Sequence, residues 1–239
     1  MSTAVLAAET ITIGEHWEVQ VFGVTLNMDT ILATLVAGAV VIVLGLMVGR
    51  RASSGVPGRL QLFFETINEQ ITDQVRQNLG LRTAPWVVPL AFCLFLFILA
   101  ANLLAILPTE HILPPPTADV NLAYALSLLV IFSVWFTALK NRPRQFLGHF
   151  AKPYAIMLPF NIIEEIAKPI SLSLRLFGNI VSGVIMIELI GLLPAFLLWA
   201  PFTAWKLFDI FIGLLQAVIF TILTIIYFGQ ALGDDAEAH

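Results

Sequence analysis

Apolar residues along this chain fall into five long blocks. Residues 29–49, 86–107, 120–139, 155–195 and 201–232 are each dominated by aliphatic and aromatic side chains, and each meets or approaches the roughly 20 residues a helix needs to cross a bilayer. The pattern predicts five membrane-embedded helices. Residues 58–79 differ: Leu60, Phe63, Phe64, Ile67, Ile71 and Val75 recur at helical spacing among Glu65, Asn68, Asp73 and Arg76. That spacing predicts a sixth, amphipathic helix at the membrane interface. Pro108, Pro114, Pro115 and Pro116 stop any helix from running on through the connection after the second span. With no internal repeat or low-complexity tract, residues 1–239 read as one all-α polytopic membrane domain.

The last two blocks are unusual in length and in polarity. A helix of about 38 residues from Tyr154 onward would be roughly 57 Å long, nearly twice a hydrocarbon core of about 30 Å. It fits only if tilted by roughly 60°, against a usual average of about 20°, or if it breaks at Pro169. Glu164, Lys168, Ser171, Arg175, Asn179 and Ser182 recur along it at intervals of three and four, which is one helical face. The final block carries a sparser stripe of Asp209, Gln216, Tyr227 and Gln230. The two stripes are expected to face each other or a third party.

Composition agrees with a lipid environment. Of 239 residues, 59% are hydrophobic and 12% charged, with a mean hydropathy of +0.91, whereas soluble domains run to about 45–50% and about 25%. The single cysteine, Cys93, can form no intrachain disulfide and reads as a small apolar side chain. The net charge of -4 gives no reason to expect nucleic acid as a partner.

The distribution of charge says more than its sum. Nine of the twelve Lys and Arg residues lie in two connections: Arg50, Arg51, Arg59, Arg76 and Arg82 in one, Lys140, Arg142, Arg144 and Lys152 in the other. The positive-inside rule assigns both to the cytoplasm. Residues 1–28 and the connection holding Glu110, His111 and Asp119 contain no basic residue, so both are expected outside, giving N-out, C-in. Residues 1–28 lack the basic start of a cleavable signal peptide, so the first span is expected to remain as an anchor.

Arg175 is the candidate with the fewest ordinary explanations. An ionised Arg at membrane depth costs from about 2.5 to more than 10 kcal/mol, so it faces protein or water. Its stripe neighbours Ser171 and Asn179 cannot neutralise it, and Glu164 is three turns away. The compensating acid is Asp209 or Glu188 within the chain, or a carboxylate on a second protein. Other polar residues have ordinary alternatives. Ser171, Ser173 and Ser182 can bond their own helix backbone. Gly178 and Gly183 can permit close helix packing. Lys168 can snorkel to the surface beside Glu164 or Glu165, and Tyr227 can anchor at the interface.

The segment Lys168-Pro169-Ile170-Ser171-Leu172-Ser173-Leu174-Arg175-Leu176-Phe177-Gly178-Asn179 resembles the signature of subunit a of bacterial F-type ATP synthases. Pro116-Thr117-Ala118-Asp119-Val120-Asn121 and Leu215-Gln216-Ala217-Val218-Ile219-Phe220 extend the resemblance through most of the chain. It implies a multi-pass subunit of the bacterial plasma (inner) membrane, itself non-catalytic and without cofactor. Its two long tilted helices would wrap a rotating ring of c subunits, with peripheral-stalk b-type subunits and other ATP synthase subunits as further partners. Arg175 then meets the lipid-buried carboxylate of each c subunit. A guanidinium stays charged at any working pH, so it favours the deprotonated acid and blocks direct proton passage between two offset half-channels.

The resemblance further implies a cytoplasmic half-channel past Ser171, Asn179 and Tyr227, with Gln216 near Arg175. Many relatives place an acid nine residues after the arginine and a histidine seven before the glutamine; here those positions hold Val184 and Asp209. Glu188 lies one turn beyond Val184, so Glu188 and Asp209, aided by Asp119 and Asn121, are the expected outer relay. No phosphate-cradling G-x-x-x-x-G-K-[ST] run and no cluster of metal ligands occurs in the sequence. Two other classes are a secondary transporter, disfavoured because the polar residues gather in the last two spans without a repeat, and a non-conducting scaffold, which leaves Arg175 unexplained.

Overall fold

The computed structural model describes residues 18–21, 24–51, 58–79, 85–105, 116–141, 143, 146, 156 and 158–232. Six long helices dominate: α1 Met28–Arg51, α2 Arg59–Leu79, α3 Val87–Leu104, α4 Val120–Asn141, α5 Leu158–Gly191 and α6 Ala195–Leu232. All but α2 are long and apolar enough to cross a membrane. The protein is thus an all-α polytopic membrane protein in its embedded part. Ahead of α1, Glu18–Val21 and Val24–Asn27 pair as a short antiparallel hairpin, with Glu18 opposite Asn27 and Val21 opposite Val24. The apolar blocks did not announce this hairpin, because two four-residue strands carry too little alternation to stand out beside a span.

Both long blocks form unbroken helices. Pro169 lies inside α5 and Pro201 inside α6, so the predicted alternative of a break at Pro169 is overturned, and α6 begins six residues earlier than the block 201–232 suggested. Each proline removes one backbone bond, a loss that membrane helices absorb through neighbouring contacts and local adjustment; Pro169 is itself packed in the interior. At 34 and 38 residues, the helices are about 51 Å and 57 Å long. A straight helix of that length stays within about 30 Å of hydrocarbon only at a tilt of roughly 55–60°.

The core lies among α2, α3, α4 and α6. Val75, Val87, Ile98, Val130, Phe220 and Phe228 are fully or almost fully enclosed there. The amphipathic reading of α2 holds in part: Phe64, Ile71 and Val75 turn inward, while Leu60 and Phe63 are half exposed. Helix α5 joins this core through Leu172 and Leu176. Helix α1 is the most peripheral, with Leu35, Ile42, Val43 and Leu46 all more than half exposed, as suits a lipid-facing span.

Asp119 fastens one end of the bundle. Its Oδ1 accepts from the Asn121 backbone N–H at 2.8 Å, capping α4, and its Oδ2 accepts from Asn27 Nδ2 at 2.7 Å and Thr30 Oγ1 at 2.9 Å. The carboxylate is 5% exposed, so these bonds replace the water it has lost. Asp119→Ala should therefore cost about 2 kcal/mol or more, lowering the apparent Tm of the detergent-solubilised chain by several degrees. Thr30→Val, which removes one donor, should cost less in the same thermal melt.

Candidate functional site

Arg175 sits at the middle of α5, seventeen residues from its first residue and sixteen from its last. The inward face of this helix presents Pro169, Leu172, Ser173, Leu176, Ile180 and Gly183. The outward face presents Ser171, Leu174, Arg175, Gly178 and Ser182, all exposed. Of the predicted polar stripe, Glu164, Ser171, Arg175 and Ser182 are exposed, whereas Lys168 and Asn179 are half-buried. Among the described residues, no carboxylate lies within ion-pair distance of the Arg175 guanidinium. Of the alternatives for its counter-charge, neither Asp209 nor Glu188 stands at ion-pair distance from it.

Small residues flank the arginine on this open face. Ala167, Ser171, Gly178 and Ser182 leave a shallow strip, and nothing stands within 4 Å of where a Gly178 side chain would begin. Such strips let a second helix approach closely in a membrane, where packing rather than the hydrophobic effect drives association. The backbone-bonding alternative holds for two serines, since Ser173 Oγ donates to the Ile170 carbonyl and Ser182 Oγ to the Asn179 carbonyl, each at 2.9 Å.

Three contacts fix the antiparallel register of α5 and α6. Lys168 Nζ lies 5.6 Å from the centre of the Tyr227 ring. Trp205 Nε1 donates to the Gly183 carbonyl at 3.3 Å. Asp209 Oδ1 lies 3.1 Å from the point a Cβ on residue 183 would occupy. Continued along the pair, this register sets Gln216 level with Arg175. The α6 stripe turns inward there: Gln216 is 4% exposed, whereas Gln230 is exposed.

Between Arg175 and the Tyr227 end lies a compact ionic group. Lys168 pairs with Glu165, whose other oxygen accepts from Trp135 Nε1 at 3.0 Å. Glu164 is exposed, so of the two acids suggested for Lys168 it is Glu165 that serves. Tyr227 lies within electrostatic reach of both Glu165 and Arg175. Trp135 and Glu165 were not anticipated as a pair, since a hydrogen bond between different helices leaves no trace in either helix's periodicity.

Among the described residues, Glu188 Oε2, Asn179 Nδ2 and Gln216 Nε2 are buried without a hydrogen-bond partner, as is Oδ1 of Asn102 on α3. Asn102 was missed by the sequence reading; its Nδ2 donates to the Gly213 carbonyl at 2.9 Å, and its Cβ lies 3.0 Å from where a Gly213 Cβ would be. A buried polar atom without a protein partner is costly unless water reaches it. Lys206 also escaped notice; it lies one turn before Asp209, its Nζ 5.8 Å from the Phe202 ring centre. Asn121 presents an exposed side chain beside buried Asp119. The structure thus puts Tyr227 within electrostatic reach of Arg175, sets Gln216 level with the arginine by register, places Asp209 against Gly183, and keeps Asp119 and Asn121 at the start of α4.

Residues 31–229 match the family described as ATP synthase A chain. The chain is 46% identical over 230 residues to ATP synthase subunit a of Acidothermus cellulolyticus, covering 95% of this chain and 84% of that one. It is 43% identical to ATP synthase subunit a of Mycobacterium marinum over the full length of both. With ATP synthase subunit a of Aliivibrio fischeri it shares 33% identity over 87% of this chain and 85% of the other.

The tight approach at Gly183 supplies a structural test. Gly183→Ala gains helix propensity of up to about 1 kcal/mol, set against a contact of 3.1 Å to Asp209, so its melting temperature should change little. Gly183→Leu should wedge the two helices apart and cost about 1–3 kcal/mol, read as a lower apparent Tm of the purified chain.

Proposed function

The chain belongs to the ATP synthase A chain family, the membrane-sector subunit a of ATP synthase, and on that premise we propose that it is the proton-conducting, non-catalytic stator of that complex. It lies in the bacterial plasma membrane with its amino terminus outside and its carboxyl terminus in the cytoplasm. The outward face of α5 docks against the ring of c subunits, and b-type subunits of the peripheral stalk hold the chain still. The observation that carries this reading is Arg175, a permanent cation at mid-helix, on an open strip of small residues, without a carboxylate from its own chain at ion-pair distance among the described residues.

The mechanism follows from charge. A carboxylate carried past Arg175 by a rotating neighbour loses its proton as it meets the guanidinium, because an opposite charge at about 4–6 Å favours the ionised acid. Beyond the arginine it must be reprotonated before it re-enters lipid, where a bare charge is expensive. Protons therefore arrive by one half-channel and leave by another, and the fixed cation prevents a direct hop between them. One charge crossing 100 mV releases about 2.3 kcal/mol, so several transfers accumulate for each nucleotide made elsewhere in the complex.

The cytoplasmic half-channel runs past Ser171, Asn179 and Tyr227, with Gln216 beside Arg175. Glu188 and Asp209 form the outer relay, with Asp119 and Asn121 at its outer rim. The unpartnered atoms of Glu188, Asn179 and Gln216 support a hydrated path, since each requires a hydrogen-bond partner that the described residues do not supply.

Arg175→Ala in membrane vesicles should leave the complex assembled while ATP-driven proton pumping falls at least about tenfold, given how strongly the charge governs the acid it meets. Normal pumping by the assembled variant overturns the mechanism, and loss of assembly favours a scaffold. Glu188→Gln and Asp209→Asn should each slow proton flux by at least about tenfold without loosening assembly. Unchanged flux in both removes them from the relay.

A further inference from the structure

A second site lies apart from the α5–α6 seam, where α3 begins and α4 ends. A pocket of about 240 Å³ opens there, lined by Pro85, Trp86, Phe136, Thr137, Lys140 and Asn141. Its lining is divided: the Trp86 and Phe136 rings, 39% and 68% exposed, supply apolar surface, and Thr137, Lys140 and Asn141 supply polar atoms. Trp86 is held by an edge-on contact with Phe228 of α6, ring centres 5.3 Å apart. The pocket wall is therefore braced by a third helix.

Two donors in this lining have no acceptor among the described residues. Among the described residues, neither the Lys140 ammonium nor the Trp86 indole N–H has a hydrogen-bond or ion-pair partner. Lys140 lies in the last turn of α4, where its charge offsets the partial negative charge of the helix end. By sequence, Arg82, Arg142 and Arg144 fall within three residues of lining positions. The chemistry that matches is a phosphate carrying an apolar body. Free phosphate would use the ammonium but leave the two exposed rings unmatched, whereas a lipid sets its headgroup on Lys140 and its chains along Phe136 into the bilayer. Basic pockets between spans at their cytoplasmic ends bind anionic headgroups in this way, and Trp at the interface suits the glycerol level.

We propose that this pocket binds the headgroup of an anionic phospholipid, with Lys140 and Trp86 as donors to the phosphodiester. The test uses the full chain in nanodiscs of phosphatidylcholine containing a trace of photoactivatable phosphatidylglycerol, with adducts mapped by peptide mass spectrometry. Adducts should fall on residues 85–86 and 136–141, and excess unlabelled phosphatidylglycerol should suppress them while inorganic phosphate does not. Labelling should drop about fivefold in Lys140→Gln, as loss of one interfacial cation predicts, and should persist in Lys140→Arg. Equal labelling by a phosphatidylcholine probe, competition by inorganic phosphate, or no drop in Lys140→Gln overturns the proposal. Should Lys140→Gln fail to fold, the competition on the unaltered chain decides alone.

Discussion

A guanidinium that cannot give up its charge has been placed halfway along a helix that must live in lipid. The cost of leaving that charge in hydrocarbon ranges from about 2.5 to more than 10 kcal/mol, a sum comparable with the entire stability of many proteins. Within the described part of the chain no acid stands at ion-pair distance to meet it. The open face of α5 is therefore an unfinished surface. Its small residues, Ala167, Ser171, Gly178 and Ser182, let another helix come near enough to complete it.

The remainder of the fold holds that face in position. Leu172 and Leu176, 1% and 0% exposed, seat α5 on the core on either side of the arginine's level. Gly183 lets Asp209 and Trp205 close the seam above it, and the Glu165, Lys168 and Trp135 group closes it below. Asn102 ties α3 to the Gly213 carbonyl of α6, while Asp119 binds the start of α4 to the start of α1. Polar groups thus fix relative helix positions, since between spans the lipid is as apolar as the side chains it competes with.

Much of this was readable in the sequence because lipid imposes a blunt rule: a spanning segment needs an unbroken apolar run. All five spans, the amphipathic α2 and the singling out of Arg175 as a cation in need of a partner follow from that rule and from helical spacing. The segment around Arg175 also pointed to the family that the similarity to subunit a chains establishes. What escaped notice depends on chain distance or on local exceptions. The bond from Asn102 to Gly213 links positions 111 residues apart, and neither helix's own pattern encodes it. Pro201 looked like a helix start but lies within α6, since membrane helices tolerate the loss of the bond a proline removes. Asp119, read as part of a proton path, is also the cap of α4, a role visible only once Thr30 and Asn27 are brought to it.

The central claim is that the cation at residue 175 faces an acid borne by another subunit. It is tested most directly by an experimental density map of the assembled membrane sector that resolves this side chain. The account predicts the guanidinium on the ring-facing side of α5, within about 4–6 Å of the carboxylate of the nearest c subunit. A guanidinium paired with an acid of its own chain, or turned toward lipid with no c subunit beside it, would contradict the account.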